Sequence, residues 1–186
     1  MKRSALFVDR DGTLIVERHY INDPAGVELV SGAAGAIRQL NELHIPVVLV
    51  TNQSGIGRGL ITQTQYNAVH ERLLQLLAQN GAKLDAAYHC PHAPGDNGEQ
   101  CNCRKPAPGM FLAAAKELDL DMSLSAYVGD RWRDIAAGID AGGLGILVNG
   151  ANTPQEEAVR ASREAHVVKS FPEAVQLALK YLGGSE

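Results

Sequence analysis

Two carboxylates two residues apart, Asp9 and Asp11, close a short apolar run and are followed at once by Gly12 and Thr13. Glycine lets the chain turn there at low steric cost, so both acids can face the same space. A hard cation such as Mg2+ is satisfied by one or two carboxylates, a backbone carbonyl, waters and phosphate oxygens. Asp9 and, far along the chain, Asp130 are the natural side-chain ligands for it. The segment alone also reads as a solvated turn. A calcium loop of the EF-hand kind does not fit, because it needs a third oxygen ligand before its glycine and a glutamate further on.

Three more polar clusters change the weight of the first. Thr51-Asn52-Gln53-Ser54-Gly55-Ile56-Gly57-Arg58-Gly59 offers hydroxyl, amide and backbone donors that suit phosphate oxygens, although alone it is also an ordinary glycine-rich connection. Arg104-Lys105-Pro106 supplies a point charge and a planar fork. Gly129-Asp130-Arg131-Trp132-Arg133-Asp134 adds two further carboxylates. All three cysteines of the chain, Cys90, Cys101 and Cys103, fall in one short stretch with His92. Three thiolates and an imidazole complete a tetrahedral set for Zn2+ with no open position, which makes a structural site the expectation and scattered free thiols the alternative.

The elements that must position these groups alternate between short β-rich runs and helical patterns, as in βαβ units that build a parallel sheet. Strands are expected at Ala5 to Val8, Pro46 to Val50, Ala86 to His89, Ser125 to Val128, Leu144 to Val148 and His166 to Val168. Helices are expected over Ala33 to Leu43, from Thr62 to a stop at Gly81, from near Pro108, and over Arg133 to Ala141. Capping boxes are read at Thr62 with Gln65, Thr153 with Glu156 and Ser170 with Glu173. Open parallel α/β sheets hold ligands outside the carboxyl ends of their strands. Asp9 and Asp11, Thr51 and Asn52, and Asp130 each follow a predicted strand, so the clusters should converge on one sheet edge.

The 186 residues, 45% hydrophobic and 20% charged, read as one domain over 1–186 that folds without a partner. A net charge of -4 gives no positive field for a nucleic acid, and no apolar run approaches a bilayer span. A cytoplasmic protein is expected, with no membrane partner. Monomeric behaviour is the expectation for its assembly.

Taken in order, Asp9-Arg10-Asp11-Gly12-Thr13, Thr51, Lys105 and Gly129-Asp130 with Asp134 resemble the four motifs of the haloacid dehalogenase (HAD) phosphatases, from the start of the chain to about residue 148. The resemblance implies a HAD-like Rossmannoid three-layer α/β sandwich with a mostly parallel sheet. It implies that Asp9 attacks phosphorus and becomes an aspartyl-phosphate, while Asp11 protonates the leaving oxygen and then deprotonates the hydrolytic water. Mg2+ would be held by the carboxylates of Asp9 and Asp130 and the backbone carbonyl of Asp11, with Asp134 in support. Thr51 and Lys105 would stabilise the transferring group.

With a zinc loop over 90–105, the chain is similar to the branch of heptose 1,7-bisphosphate 7-phosphatases and histidinol-phosphate phosphatases, and its glycine-rich and lysine segments look more like the former. One loop, one helix and one strand fill Gly12 to Thr51, which leaves no room for a large cap domain. The resemblance places Glu17, Arg18, His19, Tyr20, Thr51, Asn52, Gln53, Ser54, Arg104, Lys105 and Arg131 against a small sugar phosphate. Glu17, Arg18, His19 and Arg131 depart from the commoner pattern of that branch. The expected reaction is removal of the 7-phosphate of heptose bisphosphate on the way to ADP- or GDP-heptose, with histidinol-phosphate phosphatase as the nearest rival. A polynucleotide 3'-phosphatase and a zinc-binding interaction module with relic catalytic residues are the more distant readings.

Overall fold

A computed structural model describes residues 2–95, 101–151 and 153–183. In chain order it contains β1 (Leu6–Val8), α1 (Ala33–Glu42), β2 (Val47–Asn52), α2 (Ser54–Gly57), α3 (Gln63–Gln79), β3 (Ala86–Cys90), α4 (Gly109–Glu117), β4 (Ala126–Gly129), α5 (Trp132–Asp140), β5 (Leu144–Val148), α6 (Gln155–Glu164), β6 (His166–Val168) and α7 (Phe171–Leu182). The strands form one sheet in the order β3-β2-β1-β4-β5-β6. Every pairing is parallel. The four inner strands, β2, β1, β4 and β5, are buried on both faces, which explains why they read as continuous apolar runs.

Alternation along each strand assigns side chains to the two faces. Leu6, Val8, Val47, Leu49, Ala126, Val128 and Ile146 pack with Ile37, Leu73 and Val175 in one core, while Phe7, Val48, Val50, Tyr127 and Leu147 pack with Phe111, Ile135 and Ala161 in the other. The first core is closed by α1, α3 and α7 and the second by α4, α5 and α6. The result is the expected three-layer α/β/α arrangement, with no large cap among the described residues.

The second core is organised around Tyr127, whose ring stacks on Phe7 at 4.9 Å and meets Phe111 edge-on at 5.4 Å. Its hydroxyl donates to the carbonyl of Met122 at 2.9 Å, so the one polar atom of the cluster is satisfied. α5 approaches this ring at Gly138, where any Cβ would run into the aromatic carbons. Gly138→Ala is therefore expected to cost about 1–3 kcal/mol through overpacking, read as a lower midpoint in urea. An unchanged midpoint would show that the helix can ride up at no cost.

Local signals meet mixed outcomes. Thr62 and Gln65 form the reciprocal capping box that opens α3, and Gly81 takes a left-handed φ of 71° just past its end. Ser170 accepts from the Glu173 amide, but the Glu173 carboxylate accepts from Lys169 rather than completing the box. Thr153 does not cap α6 at all; the N-cap is Pro154. The Thr153 hydroxyl donates instead to the backbone carbonyl of Asp130 at 2.9 Å and accepts from Gly150. It ties the loop after β5 to the loop after β4. β2 runs on through Thr51 and Asn52, beyond its expected end at Val50.

Candidate active site

In the sheet β1 lies between β2 and β4; the chain leaves β1 towards β2 and leaves β4 towards β5, in opposite directions, so a crevice opens at the carboxyl ends of β1 and β4. Asp9 follows β1, Asp130 follows β4, and Asp134 rises from the first turn of α5. One carboxylate oxygen from each lies within 4.8 Å of the others. All three residues are buried. Lys105 enters among them: its Nζ donates to Asp9 Oδ1 at 2.6 Å and to the carbonyl of Val50 at 2.6 Å, and lies 2.8 Å from Asp134 Oδ1. Burial works against the ammonium, but the carboxylates of Asp134 and Asp9 outweigh it and raise its pKa.

One ammonium does not balance three buried carboxylates. Burial, followed by the charges of Asp9 and Asp134, pushes Asp130 up to about 8. Gly12, at φ 76°, presents no side chain to this group; a Cβ there would lie 2.6 Å from Asp130 Oδ2. A buried, electron-rich oxygen cradle of this kind fits a hard dication such as Mg2+, which restores the charge balance. Asp134 has less to offer a metal, since one oxygen faces Lys105 and the other accepts from the Arg131 amide at 3.0 Å.

Asp11 points away from this group towards Arg10 and Gln53. Arg10 Nη2 and Gln53 Nε2 both reach its carboxylate, at 3.1 Å and 2.8 Å. Thr51 is drawn into the same network by Gln53 Nε2 at 2.9 Å. Asn52 exchanges two bonds with the backbone of Lys105, each at 3.0 Å, and so sets where the lysine leaves its loop.

That loop is anchored by the cysteines. Cys90 is the last residue of β3, paired in register with Asn52. Cys103 Sγ lies 3.0 Å from Cys90 Sγ and 3.2 Å from His92 Nδ1, and Cys101 Sγ is 3.6 Å from Cys90 Sγ. None of the three cysteines is in a disulfide. The four ligand atoms all fall within 4.8 Å of one another, a cluster that could hold a metal ion. Residues 96–100 of the expected zinc loop lie outside the described residues.

A HAD-hydrolase-like family model matches residues 102–174. Over 182 residues the chain is 38% identical to the D-glycero-beta-D-manno-heptose-1,7-bisphosphate 7-phosphatase of Yersinia pestis, across 95% of this chain and 97% of that protein. The chain belongs to the heptose-bisphosphate phosphatase branch of the HAD hydrolases. The Pasteurella multocida protein of the same name is 42% identical over 139 residues, covering 73% of this chain and 76% of its own. A crystal structure of D,D-heptose 1,7-bisphosphate phosphatase from B. bronchiseptica, complexed with magnesium and phosphate, superposes with a TM-score of 0.84 at 32% identity, over 95% of this chain and 98% of that one.

In this HAD chain a cavity of about 370 Å³ lies over the strand ends. Of the residues expected at a substrate, Glu17, His19, Tyr20, Thr51, Asn52, Gln53, Ser54 and Arg131 line it. Tyr20 reaches there because Gly55 leaves room for its ring; a Cβ on Gly55 would meet the ring at 2.6 Å. Burial, then the Asp11 charge, raises the pKa of Glu17. Arg18, Arg104 and Lys105 are not among the lining residues: Arg18 pairs outward with Glu28 at 3.0 Å, Arg104 donates to the carbonyl of His92 at 3.2 Å, and Lys105 is buried against Asp9. Arg131 lines the wall, but its guanidinium is held by Glu157 of α6 at 2.8 Å. Two lining cations, Arg10 and Arg133, escaped the sequence reading. Their signal was available, since each sits between acids already singled out, but arginine is ordinarily a solvated surface residue.

Proposed function

We propose that the chain hydrolyses the 7-phosphate of D-glycero-β-D-manno-heptose 1,7-bisphosphate through an aspartyl-phosphate on Asp9. The observation that carries this reading is the contact of Asp9 Oδ1 with Lys105 Nζ at 2.6 Å, at the switch point of a sheet and beside Asp130. A carboxylate so placed can attack phosphorus in line while the ammonium meets the charge on the phosphoryl oxygens. The names of the relatives support the sugar and its β-anomer. Asp11 protonates the departing oxygen and later takes a proton from water. Thr51 donates to the phosphoryl group, and Glu17, His19, Tyr20, Asn52, Ser54 and Arg131 contact the sugar phosphate.

Asp9, Asp130 and the Asp11 carbonyl would hold Mg2+, with Asp134 fixing Lys105 beside them; when bound, the ion supplies positive charge to the transferring group. Cys90, His92, Cys101 and Cys103 would hold a structural Zn2+. Among the described residues no helix is long and apolar enough to cross a membrane. We place the enzyme in the cytoplasm as a monomer of one HAD-like domain, working towards nucleotide-activated heptose. The thiols gathered in one metal-type cluster support that compartment.

Steady-state kinetics test the assignment. In Mg2+, kcat/KM for the heptose bisphosphate is expected to exceed that for histidinol phosphate by about 100-fold or more. A higher value for histidinol phosphate would transfer the chain to the rival activity.

A further inference from the structure

Arg10 is 1% exposed, although it stands at the edge of an open cavity. A guanidinium withdrawn from water is costly unless paired, and the pairing here, which leaves Nη1 buried without a hydrogen-bond partner, is concentrated on one carboxylate. Nε lies 3.2 Å and 3.1 Å from the two oxygens of Asp11, and Nη2 lies 3.1 Å from Oδ1. Nη2 also donates to Gln53 Oε1 at 2.9 Å. Gln53 in turn donates through Nε2 to Asp11 Oδ2 at 2.8 Å and to Thr51 Oγ1 at 2.9 Å. Its amide is spent inside the protein rather than on a ligand. Tyr66 of α3 backs the guanidinium at 5.4 Å and is itself stacked on His89 of β3 at 4.2 Å.

We propose that Arg10 and Gln53 are positioning residues that clamp the Asp11 carboxyl group in the orientation needed for proton transfer. The inference rests on the acid–base role proposed above for Asp11. The torsion that ends an aspartate side chain is broad, so an unclamped carboxyl samples many orientations. Donors to both oxygens remove that freedom. These contacts use three hydrogens, one from Nε shared by both oxygens, one from Nη2 and one from Gln53 Nε2, so of the about four lone-pair sites of a carboxylate one is left for a proton.

In the first chemical step an Asp9 oxygen bonds to phosphorus, the bond from phosphorus to the sugar oxygen breaks, and the Asp11 proton passes to that oxygen. Asp11 becomes anionic as the proton leaves. The bonds from Arg10 and Gln53 then become fully charge-assisted, stronger at the transition state than before it.

The clamp matters only where the leaving group needs a proton. The 7-phosphate is a primary alkyl ester, whose alkoxide leaves poorly; p-nitrophenolate departs as the anion. The quantity to measure is the ratio of kcat/KM for the heptose bisphosphate to kcat/KM for p-nitrophenyl phosphate. This ratio does not depend on the fraction of folded protein, and kcat/KM reports the steps through leaving-group departure, so the later hydrolysis does not enter.

Arg10→Lys keeps the charge but not the fork, and Gln53→Ala removes the second arm. Each is expected to lower the ratio by about 10- to 100-fold, as a misplaced group does. Asp11→Asn serves as reference and should lower it by about 100-fold or more. If Asp11→Asn lowers the ratio while Arg10→Lys and Gln53→Ala leave it at the parent value, the clamp is wrong and the acid role stands. If Asp11→Asn itself leaves the ratio unchanged, the acid role fails and the clamp with it.

Discussion

Asp9→Asn is expected to lower phosphatase activity by at least about 10⁴-fold on every phosphate ester, because an amide cannot replace the attacking carboxylate. The same change should leave the fold intact. Lys105 would keep its contacts with Asp134 Oδ1 at 2.8 Å and with the carbonyl of Val50 at 2.6 Å, so the ammonium is not stranded. One of three crowded carboxylates would lose its charge. That relieves part of the repulsion which, with burial, pushes Asp130 up to about 8. A metal-free sample should therefore melt no lower than the parent. Activity and thermal midpoint are to be read on one preparation. Turnover left unchanged would remove the nucleophile and favour a zinc-binding module with relic residues. An inactive protein that had also lost its fold would refute the charge argument.

How much of the fold and the site is legible in the sequence depends on what each signal encodes. Short apolar runs and helix caps are local, and they place β1 to β6 and α3 with errors of a residue or two, because a strand covered on both faces is apolar along its length. The convergence of Asp9, Thr51 and Asp130 follows from a topological rule rather than from any pair of residues, whereas Lys105, which follows no strand directly, is placed only by the family resemblance. Side-chain direction after a strand end has no such rule. Gln53 reads from its neighbours as a ligand contact, yet its amide turns inwards to Asp11, Arg10 and Thr51. Arg131 is withheld by Glu157, 26 residues away, and nothing in the local pattern around either residue announces the pair. Thr153 shows the same limit: the spacing to Glu156 is that of a capping box, but a carbonyl at Asp130 competes for the hydroxyl and wins. Arg10 was hidden for a different reason. A buried arginine is unusual enough that its presence between two catalytic-looking acids is discounted until its partners are seen.

The proposed zinc site carries the second large effect. Cys103→Ser, or exhaustive chelation, is expected to lower the thermal midpoint sharply and to abolish activity that added Mg2+ does not restore. The energetic basis is that structural zinc binding in small peptides contributes about 10–16 kcal/mol at neutral pH, all of it folding free energy where no site exists in the unfolded chain. The path to the active site is short. Cys103 is two residues from Lys105, whose backbone is held by Asn52, and Cys90 accepts through its carbonyl from the backbone N–H of Gln53 at 2.7 Å. The Asn102 carbonyl accepts from Gly109, the first residue of α4, and a Cβ on Gly109 would collide with it. Loosening the cluster should thus release both Lys105, which faces Asp9, and Gln53, which faces Asp11. Elemental analysis of the purified protein should find one zinc per chain. A zinc-free protein with the parent's midpoint and turnover would refute the structural role, and a protein that lost stability but kept kcat/KM would show that the loop holds the fold without setting Lys105.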